Sequence, residues 1–223
     1  MGKNIPVSLN WTSSTSSSGT PGAFSALPLG FQQDPAPISG STLFDTALGR
    51  CGIAWGTQGV LAVQLPETND AGTRRRLLRG LVSVRPLQPR QALPEFVQGA
   101  IQGIVALLRG EPRHLRDIVL DMQRIPPFHQ RVYEVARAID PGKTMTYGEV
   151  AQALSVPGAS RAVGQALGSN PFVIVVPCHR VLAAHGHPGG FSAPGGTRTK
   201  LRLLTIEGAF SQPPDPGDSF ALF

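Results

Sequence analysis

Cysteine is scarce in this sequence: its 223 residues include two, Cys51 and Cys178. Neither belongs to a Cys-x-x-Cys pair, and two cysteines could form one bridge at most, so there is no disulfide framework and no zinc or dithiol motif. Free thiols in a reducing compartment are the better interpretation. We therefore expect a cytoplasmic protein that holds no metal.

Long hydrophobic runs are also missing. No stretch approaches the roughly 18 to 20 apolar residues of a membrane span. The N-terminus has neither the basic start nor the apolar segment of a secretory signal. These absences predict no membrane partner and again favour the cytoplasm.

Charged residues make up only 15% of the chain, against 41% hydrophobic residues. This balance supplies enough apolar surface for one or two folded domains. The formal net charge is +6, and residues 123–210 hold nine Lys and Arg against four Asp and Glu. Such an excess favours a polyanionic partner, although a basic surface is more often a matter of solubility.

Both ends of the chain have the composition of tails. Residues 1–40 are rich in Ser, Thr, Pro and Gly, and residues 211–223 contain a cluster of prolines. Neither stretch offers enough apolar surface to offset the entropy of ordering it. Between the tails we predict an N-terminal domain over residues 41–122 and a second domain over residues 123–210.

The N-terminal domain has the pattern of short strands followed by helices. Three short apolar segments separated by glycine-containing turns predict a small antiparallel sheet. Helical spacing of apolar residues predicts helices over residues 74–81 and 95–109, the second with Phe96 on its core-facing stripe. We interpret Arg74–Arg76 as a solvated helix face rather than a DNA contact. The predicted strands are Thr42–Thr46, Gly52–Trp55 and Gly59–Leu65.

The second domain is mainly helical. Thr146 and Glu149 fit a capping box, in which each side chain bonds the backbone of the other, and this box predicts a helix to Leu154. Val156-Pro157-Gly158 then turns the chain into a further helix, giving the helix-turn-helix arrangement of many DNA-binding domains. Two packed helices without nucleic acid are the commoner outcome of such a pattern. The predicted helices cover residues 128–139, 146–154, 159–167 and 198–207.

The second helix of this pair has an unusual outer face. Val163 and Leu167 lie four residues apart and can pack inward. Arg161, Gly164 and Gln165 fall on another stripe, which is nearly bare backbone with one cation. Such a face could approach a DNA backbone closely and push the arginine into the base stack, or the small residues could merely allow close helix packing.

A cysteine stands beside a histidine at Cys178-His179, after the apolar run Phe172–Val176, which we interpret as a strand. A histidine can supply the thiolate, which is the form of cysteine that attacks carbon. Neighbouring side chains of a strand point to opposite faces, so the two residues can couple only across a turn or through a water molecule. The alternative is a cysteine that acts as a small buried hydrophobe.

Six short motifs follow one another between Pro127 and Gly208. They are Thr146-Tyr147-Gly148-Glu149, Ser160-Arg161-Ala162-Val163-Gly164, Asn170-Pro171, Pro177-Cys178-His179-Arg180-Val181, Gly189-Gly190-Phe191-Ser192 and Glu207-Gly208. In this order they resemble the catalytic domain of the O6-alkylguanine-DNA alkyltransferases, also called methylated-DNA-protein-cysteine methyltransferases. Residues 42–121 resemble that family's N-terminal domain more loosely.

The resemblance implies a fold in two parts. The N-terminal part would be an α/β domain of the ribonuclease-H-like kind, with a small antiparallel sheet, helices and a structural role. The C-terminal part would be mainly α, winged-helix-like, and would contain the helix-turn-helix.

The resemblance also implies a function, which is DNA repair by a single-turnover alkyltransferase. The alkyl group of O6-alkylguanine would pass irreversibly to Cys178 after the base flips out through the minor groove, and O4-alkylthymine is a second candidate substrate. His179, polarised by Glu207, would draw the thiol proton through a water molecule. Tyr147 would give a proton to the leaving guanine, and Asn170 would order the turn around the thiol.

The same resemblance assigns binding residues. Arg161 would fill the place of the extruded guanine, alongside Ser160, Ala162, Gly164 and Gln165 on the DNA-binding helix. The substrate pocket would consist of Leu167, Val181, Phe191 and Ser192. The partner would be alkylated double-stranded DNA, bound by a monomer without metal or cofactor.

One departure from the family pattern concerns the pocket. Most members run from the aromatic-small pair straight into Gly-Gly, whereas this chain inserts Ala193-Pro194 after Phe191-Ser192. Added length there could open the mouth of the pocket to alkyl groups larger than methyl. The alternative is a surface bulge without consequence.

Two other classes of function are open from the residues alone. Cys178, His179 and Glu207 could form the triad of a cysteine hydrolase, which would turn over many times and have no use for Arg161 or the helix-turn-helix. A lesion binder or regulator on the same scaffold would lack the cysteine. The sequence favours the alkyltransferase over both.

Overall fold

A computed structural model of the chain describes residues 38–81 and 92–210, which belong to one compact unit. The tails predicted for residues 1–40 and 211–223 lie outside the described residues, except for residues 38–40. Ile38 is already buried, and the first strand begins at Gly40.

The sheet has three antiparallel strands in the order β1-β2-β3: β1 (Gly40–Thr46), β2 (Gly49–Trp55) and β3 (Val60–Gln64). This confirms the predicted small antiparallel sheet. A tight turn pairs Thr46 with Gly49, and the Thr46 hydroxyl accepts the Leu48 amide at 3.2 Å. Every residue of β3 is buried, and the Val63 amide donates to the Pro171 carbonyl at 2.8 Å, which ties the sheet to the second half of the chain.

Of the residues that the structure describes after the sheet, Asp70–Leu77 form α1 and Glu95–Leu108 form α2. The first starts four residues before its predicted position, because the Asn69 side chain caps it by accepting the Gly72 amide at 2.8 Å. The core-facing stripe of α2 begins at Val97, which is fully buried, rather than at Phe96, which is 43% exposed. None of the helices within residues 38–81 and 92–210 has the length and hydropathy that a membrane crossing would need.

The second half contains four helices and one short parallel strand pair. The predicted capping box is present at the start of α4 (Tyr147–Ala153), with the Glu149 amide donating to the Thr146 hydroxyl at 3.1 Å and the Thr146 amide donating to the Glu149 carboxylate at 2.6 Å. A turn then joins α4 to α5 (Ser160–Gly168), as the helix-turn-helix pattern predicts. The elements are α3 (Pro127–Ala138), β4 (Met145–Thr146), α4 (Tyr147–Ala153), α5 (Ser160–Gly168), β5 (Val181–Leu182) and α6 (Gly196–Ile206).

One cluster of buried side chains runs through both halves. Ile53 and Val63 of the sheet belong to the same cluster as Val132 of α3 and Cys178. Because a close-packed interior transmits displacements, the surroundings of Cys178 depend on the packing of the sheet as well as of the helices.

Candidate functional site

The run Phe172–Val176, predicted to be a strand, is instead a buried turn whose two ends are hydrogen-bonded to each other. The Val176 amide donates to the Phe172 carbonyl at 2.8 Å, and Ile174 has a φ of 79°. That left-handed conformation costs a β-branched residue about 1 to 3 kcal/mol. The Asn170 side chain offsets this cost, since its amide nitrogen donates to the Val176 carbonyl at 2.9 Å and its oxygen accepts the Phe172 amide at 2.9 Å. The strand prediction was wrong because a side chain supplies the backbone partners that a sheet would have supplied.

Cys178 begins a short 3-10 turn immediately after this segment. Cys178 is 6% exposed, and its Sγ lies 3.5 Å from the Asn170 side-chain nitrogen. Burial raises the pKa of the Cys178 thiol, and the Asn170 hydrogen bond, the Lys200 charge and nearby backbone amides only partly oppose it. The resting cysteine is therefore a thiol, and it needs a base before it can attack carbon.

His179, the residue after Cys178, forms a buried pair with Glu207. The His179 Nε2 donates to the Glu207 carboxylate at 2.9 Å. Arg180 donates to the same carboxylate through Nε at 2.7 Å and through a terminal nitrogen at 2.9 Å. Glu207 follows α6 directly, where a carboxylate opposes the helix dipole, so its position is supported by these two partners rather than by its own helix.

The electrostatics of the pair leave a neutral histidine with one free lone pair. Burial alone would raise the pKa of Glu207, but His179 and Arg180 outweigh burial and hold it at about 2. Burial, together with the Arg180 and Lys200 charges, lowers the pKa of His179 more than the Glu207 carboxylate raises it. With Nε2 protonated toward Glu207, Nδ1 is the acceptor. Within the described residues, His179 Nδ1 and Arg137 Nε are the buried side-chain nitrogens and oxygens that lack a hydrogen-bond partner.

A cavity of about 450 Å³ opens beside Cys178. Val181, which was also predicted for the pocket, does not line it; its side chain is buried, and its carbonyl accepts the Lys200 ammonium at 2.6 Å. The cavity brings together five other predicted residues with the cysteine. Its lining consists of Tyr147, Gly164, Leu167, Gly168, Cys178, Gly190, Phe191 and Ser192.

Tyr147 reaches the cavity through the local strand pairing. Met145 and Thr146 of β4 pair with Val181 and Leu182 of β5, so the first residue of α4 lies beside the cysteine turn. Gly189, with a φ of 66°, passes so close that an added Cβ would lie 3.3 Å from the tyrosine ring. Burial, and to a smaller extent Cys178, raise the pKa of Tyr147, so its hydroxyl keeps a proton at neutral pH.

Lys200 is a site residue that the sequence analysis missed. It is fully buried, and its ammonium lies 5.8 Å from the centre of the Tyr147 ring. Burial lowers the pKa of Lys200 to about 8, against an opposing effect of Cys178. The available signal was its place on α6, because Lys200 shares the buried stripe of Leu203 and Leu204.

The outer face of α5 matches the sequence pattern. Val163 and Leu167 are buried, whereas Arg161 and Gln165 are exposed. Gly164 faces the Tyr147 ring, so the exposed stripe runs past the mouth of the cavity. Ser160 and Ala162 lie on the same helix and are half-buried.

The inserted Ala193-Pro194 leads from the cavity into α6. Ala193 is 7% exposed and belongs to the main core cluster. Its carbonyl accepts the Gly196 amide at 3.0 Å, and the Pro194 carbonyl accepts the Thr199 hydroxyl at 2.7 Å. The insertion is thus packed and hydrogen-bonded, and it adjoins Ser192 without lining the cavity itself.

Sequence comparison finds relatives that are named as DNA methyltransferases. The family model described as 6-O-methylguanine DNA methyltransferase, DNA binding domain, matches residues 127–209. The methylated-DNA-protein-cysteine methyltransferase of Mycolicibacterium paratuberculosis is 43% identical over 114 residues, which cover 51% of this chain and 67% of the relative. The protein of the same name from Methanothermobacter thermautotrophicus is 32% identical over 157 residues, covering 70% of this chain and 78% of the relative.

Structure comparison gives a consistent result over a longer stretch. A crystal structure of Mycobacterium tuberculosis OGT in complex with DNA matches with a TM-score of 0.61 and 32% sequence identity. The match covers 76% of this chain and 93% of that one. It therefore includes the sheet half as well as the helical half.

Proposed function

The chain belongs to the O6-methylguanine-DNA methyltransferase family, and from this premise we propose how its own residues carry out the reaction. Its function is DNA repair by direct transfer of an alkyl group to a cysteine of the protein. The observation that carries the assignment of residues is that Cys178 lines a cavity and directly precedes His179, whose side chain is paired with Glu207.

Cys178 is the alkyl acceptor in this proposal. Its sulfur attacks the alkyl carbon in line with the bond to the guanine oxygen, so a carbon-sulfur bond forms as the carbon-oxygen bond breaks. The raised pKa of the thiol requires a base, and His179 Nδ1 is a neutral acceptor without a partner among the described residues. The thiol proton passes through one water molecule to Nδ1, and the Glu207 carboxylate stabilises the imidazolium that results.

Tyr147 completes the proton balance. Its hydroxyl, protonated at neutral pH, donates to the guanine ring as the base leaves, and the proton taken from Cys178 finally replaces the one that Tyr147 gave. Asn170 holds the turn that presents the sulfur. The product is a thioether that no group of the site can hydrolyse, so each protein acts once.

Leu167, Phe191 and Ser192 are the proposed walls of the base and alkyl pocket, whereas Val181 does not line the cavity. The apolar Leu167 and Phe191 side chains suit the faces of a flat base and an alkyl group. Ser192 is exposed at this cavity and offers its hydroxyl to the base edge.

The proposed DNA contact is the outer face of α5, lying in the minor groove. Ser160, Ala162, Gly164 and Gln165 allow a close approach to the backbone, and Arg161 enters the stack in place of the flipped base. Flipping costs a few kcal/mol, and less for a lesion that already pairs badly. Arg161 offsets part of that cost.

The remaining assignments complete the proposal. The partner is alkylated double-stranded DNA, and O4-alkylthymine is a further substrate to test. The protein acts as a monomer in the cytoplasm without metal or cofactor.

The sheet with α1 and α2 is the ribonuclease-H-like part, and α3 to α6 form the winged-helix-like part that contains the helix-turn-helix.

Intact mass spectrometry after mixing with an O6-methylguanine duplex tests the function. We expect one methyl group per protein, mapped to Cys178, and no further turnover. Cys178→Ala should accept nothing, yet retain salt-sensitive DNA binding, because phosphate contacts dominate affinity. Cys51→Ala is the matched control and should react normally, since burial raises the pKa of Cys51 to about 11 and keeps that thiol inert. Absence of an adduct, or repeated turnover as in a hydrolase, would contradict the proposal.

A further inference from the structure

Ser192 belongs to a stretch of chain that separates two cavities. On one side it lines the cavity that contains Cys178. On the other side, Ser192 and Ala193 line a second cavity of about 280 Å³, bounded also by β3, α1 and the end of α5. We call residues 190–194 the pocket wall. A wall with open space behind it is not fixed by packing alone, so its position depends on its hydrogen bonds.

The pocket wall is tied from two directions. At its C-terminal end, the bonds from Gly196 and Thr199 anchor it to α6. From the opposite direction, the Arg76 guanidinium of α1 donates to the Ser192 carbonyl. This second tie reaches across the open space and joins the sheet half of the protein to the wall of the pocket.

Arg76 is itself braced. A second guanidinium nitrogen donates to the Glu67 carboxylate at 3.0 Å. The Glu67 amide in turn donates to the Thr73 hydroxyl at 3.0 Å, so the brace is anchored on α1. A planar guanidinium can serve two acceptors in fixed directions, which a single ammonium does poorly.

The neighbouring arginines provide a contrast. Arg74 and Arg75 lie on the same helix and are exposed, whereas Arg76 is half-buried. The sequence pattern assigned all three to a solvated face, and Arg76 departs from it. Arg75 therefore matches Arg76 in charge and helix but lacks the contact with the wall.

We propose that Arg76 is a positioning residue that sets the width of the alkyl pocket by holding Ser192, and thereby determines which alkyl groups are accepted. This inference rests on the proposed transfer to Cys178. Without Arg76 the wall can move back into the second cavity, and the room gained lies next to the sulfur. Bulky alkyl groups benefit from that room, whereas a methyl group does not need it.

The test is the ratio of single-turnover rates for benzyl and methyl transfer from the same duplex. In Arg76→Ala we expect the ratio to rise about three- to tenfold, as for loss of one partly exposed, charge-assisted hydrogen bond. Arg76→Lys should lie between wild type and Arg76→Ala, and Arg75→Ala should keep the wild-type ratio. Hydrogen exchange should accelerate at the amides of residues 190–193 in Arg76→Ala and nowhere else in the site.

Two outcomes would overturn the inference. One is an unchanged ratio in a folded Arg76→Ala protein. The other is an equal loss of both rates, which would mean that Arg76 supports the fold or binds DNA without setting the pocket. A wild-type protein that takes no methyl at Cys178 would instead contradict the proposed function, and the exchange measurement would still test the wall, because it requires no transfer.

Discussion

Replacing Glu207 with glutamine removes a single charge from the most deeply buried part of the site. The Glu207 side chain is 2% exposed, and it accepts hydrogen bonds from both His179 and Arg180. Glutamine has nearly the same shape, but its amide nitrogen is a donor and would face donors. The Arg180 side chain, 5% exposed, would then lack its counter-charge.

The structure gives the size of the effect. Folding lowers the pKa of Glu207 from 4.5 to about 2, which corresponds to about 3 kcal/mol of stability from this one carboxylate. Because the folded pKa lies below the unfolded one, that contribution is complete above about pH 5 and is lost as the pH falls toward about 2. His179 acts in the same direction, since burial lowers its pKa below 6.5 and the unfolded chain takes up that proton first.

Glu207→Gln should therefore cost about 3 to 5 kcal/mol at neutral pH, the usual price of leaving one partner of a buried ion pair alone. The variant should also lose less stability than the wild type between about pH 5 and pH 3. Transfer should slow as well, because the amide no longer stabilises an imidazolium at His179.

Urea unfolding followed by tryptophan fluorescence measures the first two effects, and Trp55, at 2% exposure, is a suitable probe in β2. Glu111→Gln, at an exposed position after α2, is the control for loss of one negative charge. If wild type and Glu207→Gln lost the same stability on acidification, the Glu207 carboxylate would not be the titrating group and the reasoning would fail.

Three further predictions concern transfer. Arg161→Ala should slow repair in duplex DNA about tenfold more than transfer from a free base analogue, because only the duplex requires base extrusion; equal losses would make Arg161 a structural residue. Lys200→Met should slow transfer and shift the pH-rate profile to higher pH, since the Lys200 charge lowers the pKa of the Cys178 thiol. At neutral pH it should leave urea stability no lower than wild type, because burial has lowered the Lys200 pKa from 10.5 to about 8, so the ammonium is costly below that pH; a marked loss of stability would refute this. Deleting Ala193 and Pro194 should selectively slow benzyl transfer, with thermal unfolding as the control for the buried Ala193, and a parallel change in benzyl and methyl rates would rule out a role at the pocket mouth.

Local signals in the sequence were sufficient where the structure is also local. The capping box at Thr146 and Glu149 involves residues three apart, and the inward stripe of Val163 and Leu167 follows from helical spacing alone. Both predictions are confirmed for that reason. The start of α1 was misplaced because the Asn69 cap outweighed the apolar pattern.

Predictions failed where a partner outside the predicted element decides the structure. An apolar run such as Phe172–Val176 fits a strand and a buried turn equally well, and Asn170 selects the turn. Lys200 looks like any surface lysine until the Val181 carbonyl and Tyr147 are placed around it. Arg76 likewise gains its role from Ser192, which lies more than a hundred residues away.

The burial of Cys178 has a consequence for the lifetime of the unreacted protein. Peroxides and free alkylating agents attack thiolates that solvent can reach, and each such event would leave a single-use protein oxidised or capped before it met any lesion. A sulfur that stays protonated and is largely buried reacts slowly with these small molecules. The same environment that makes a base necessary thus keeps the sulfur chemically intact during the wait for damaged DNA.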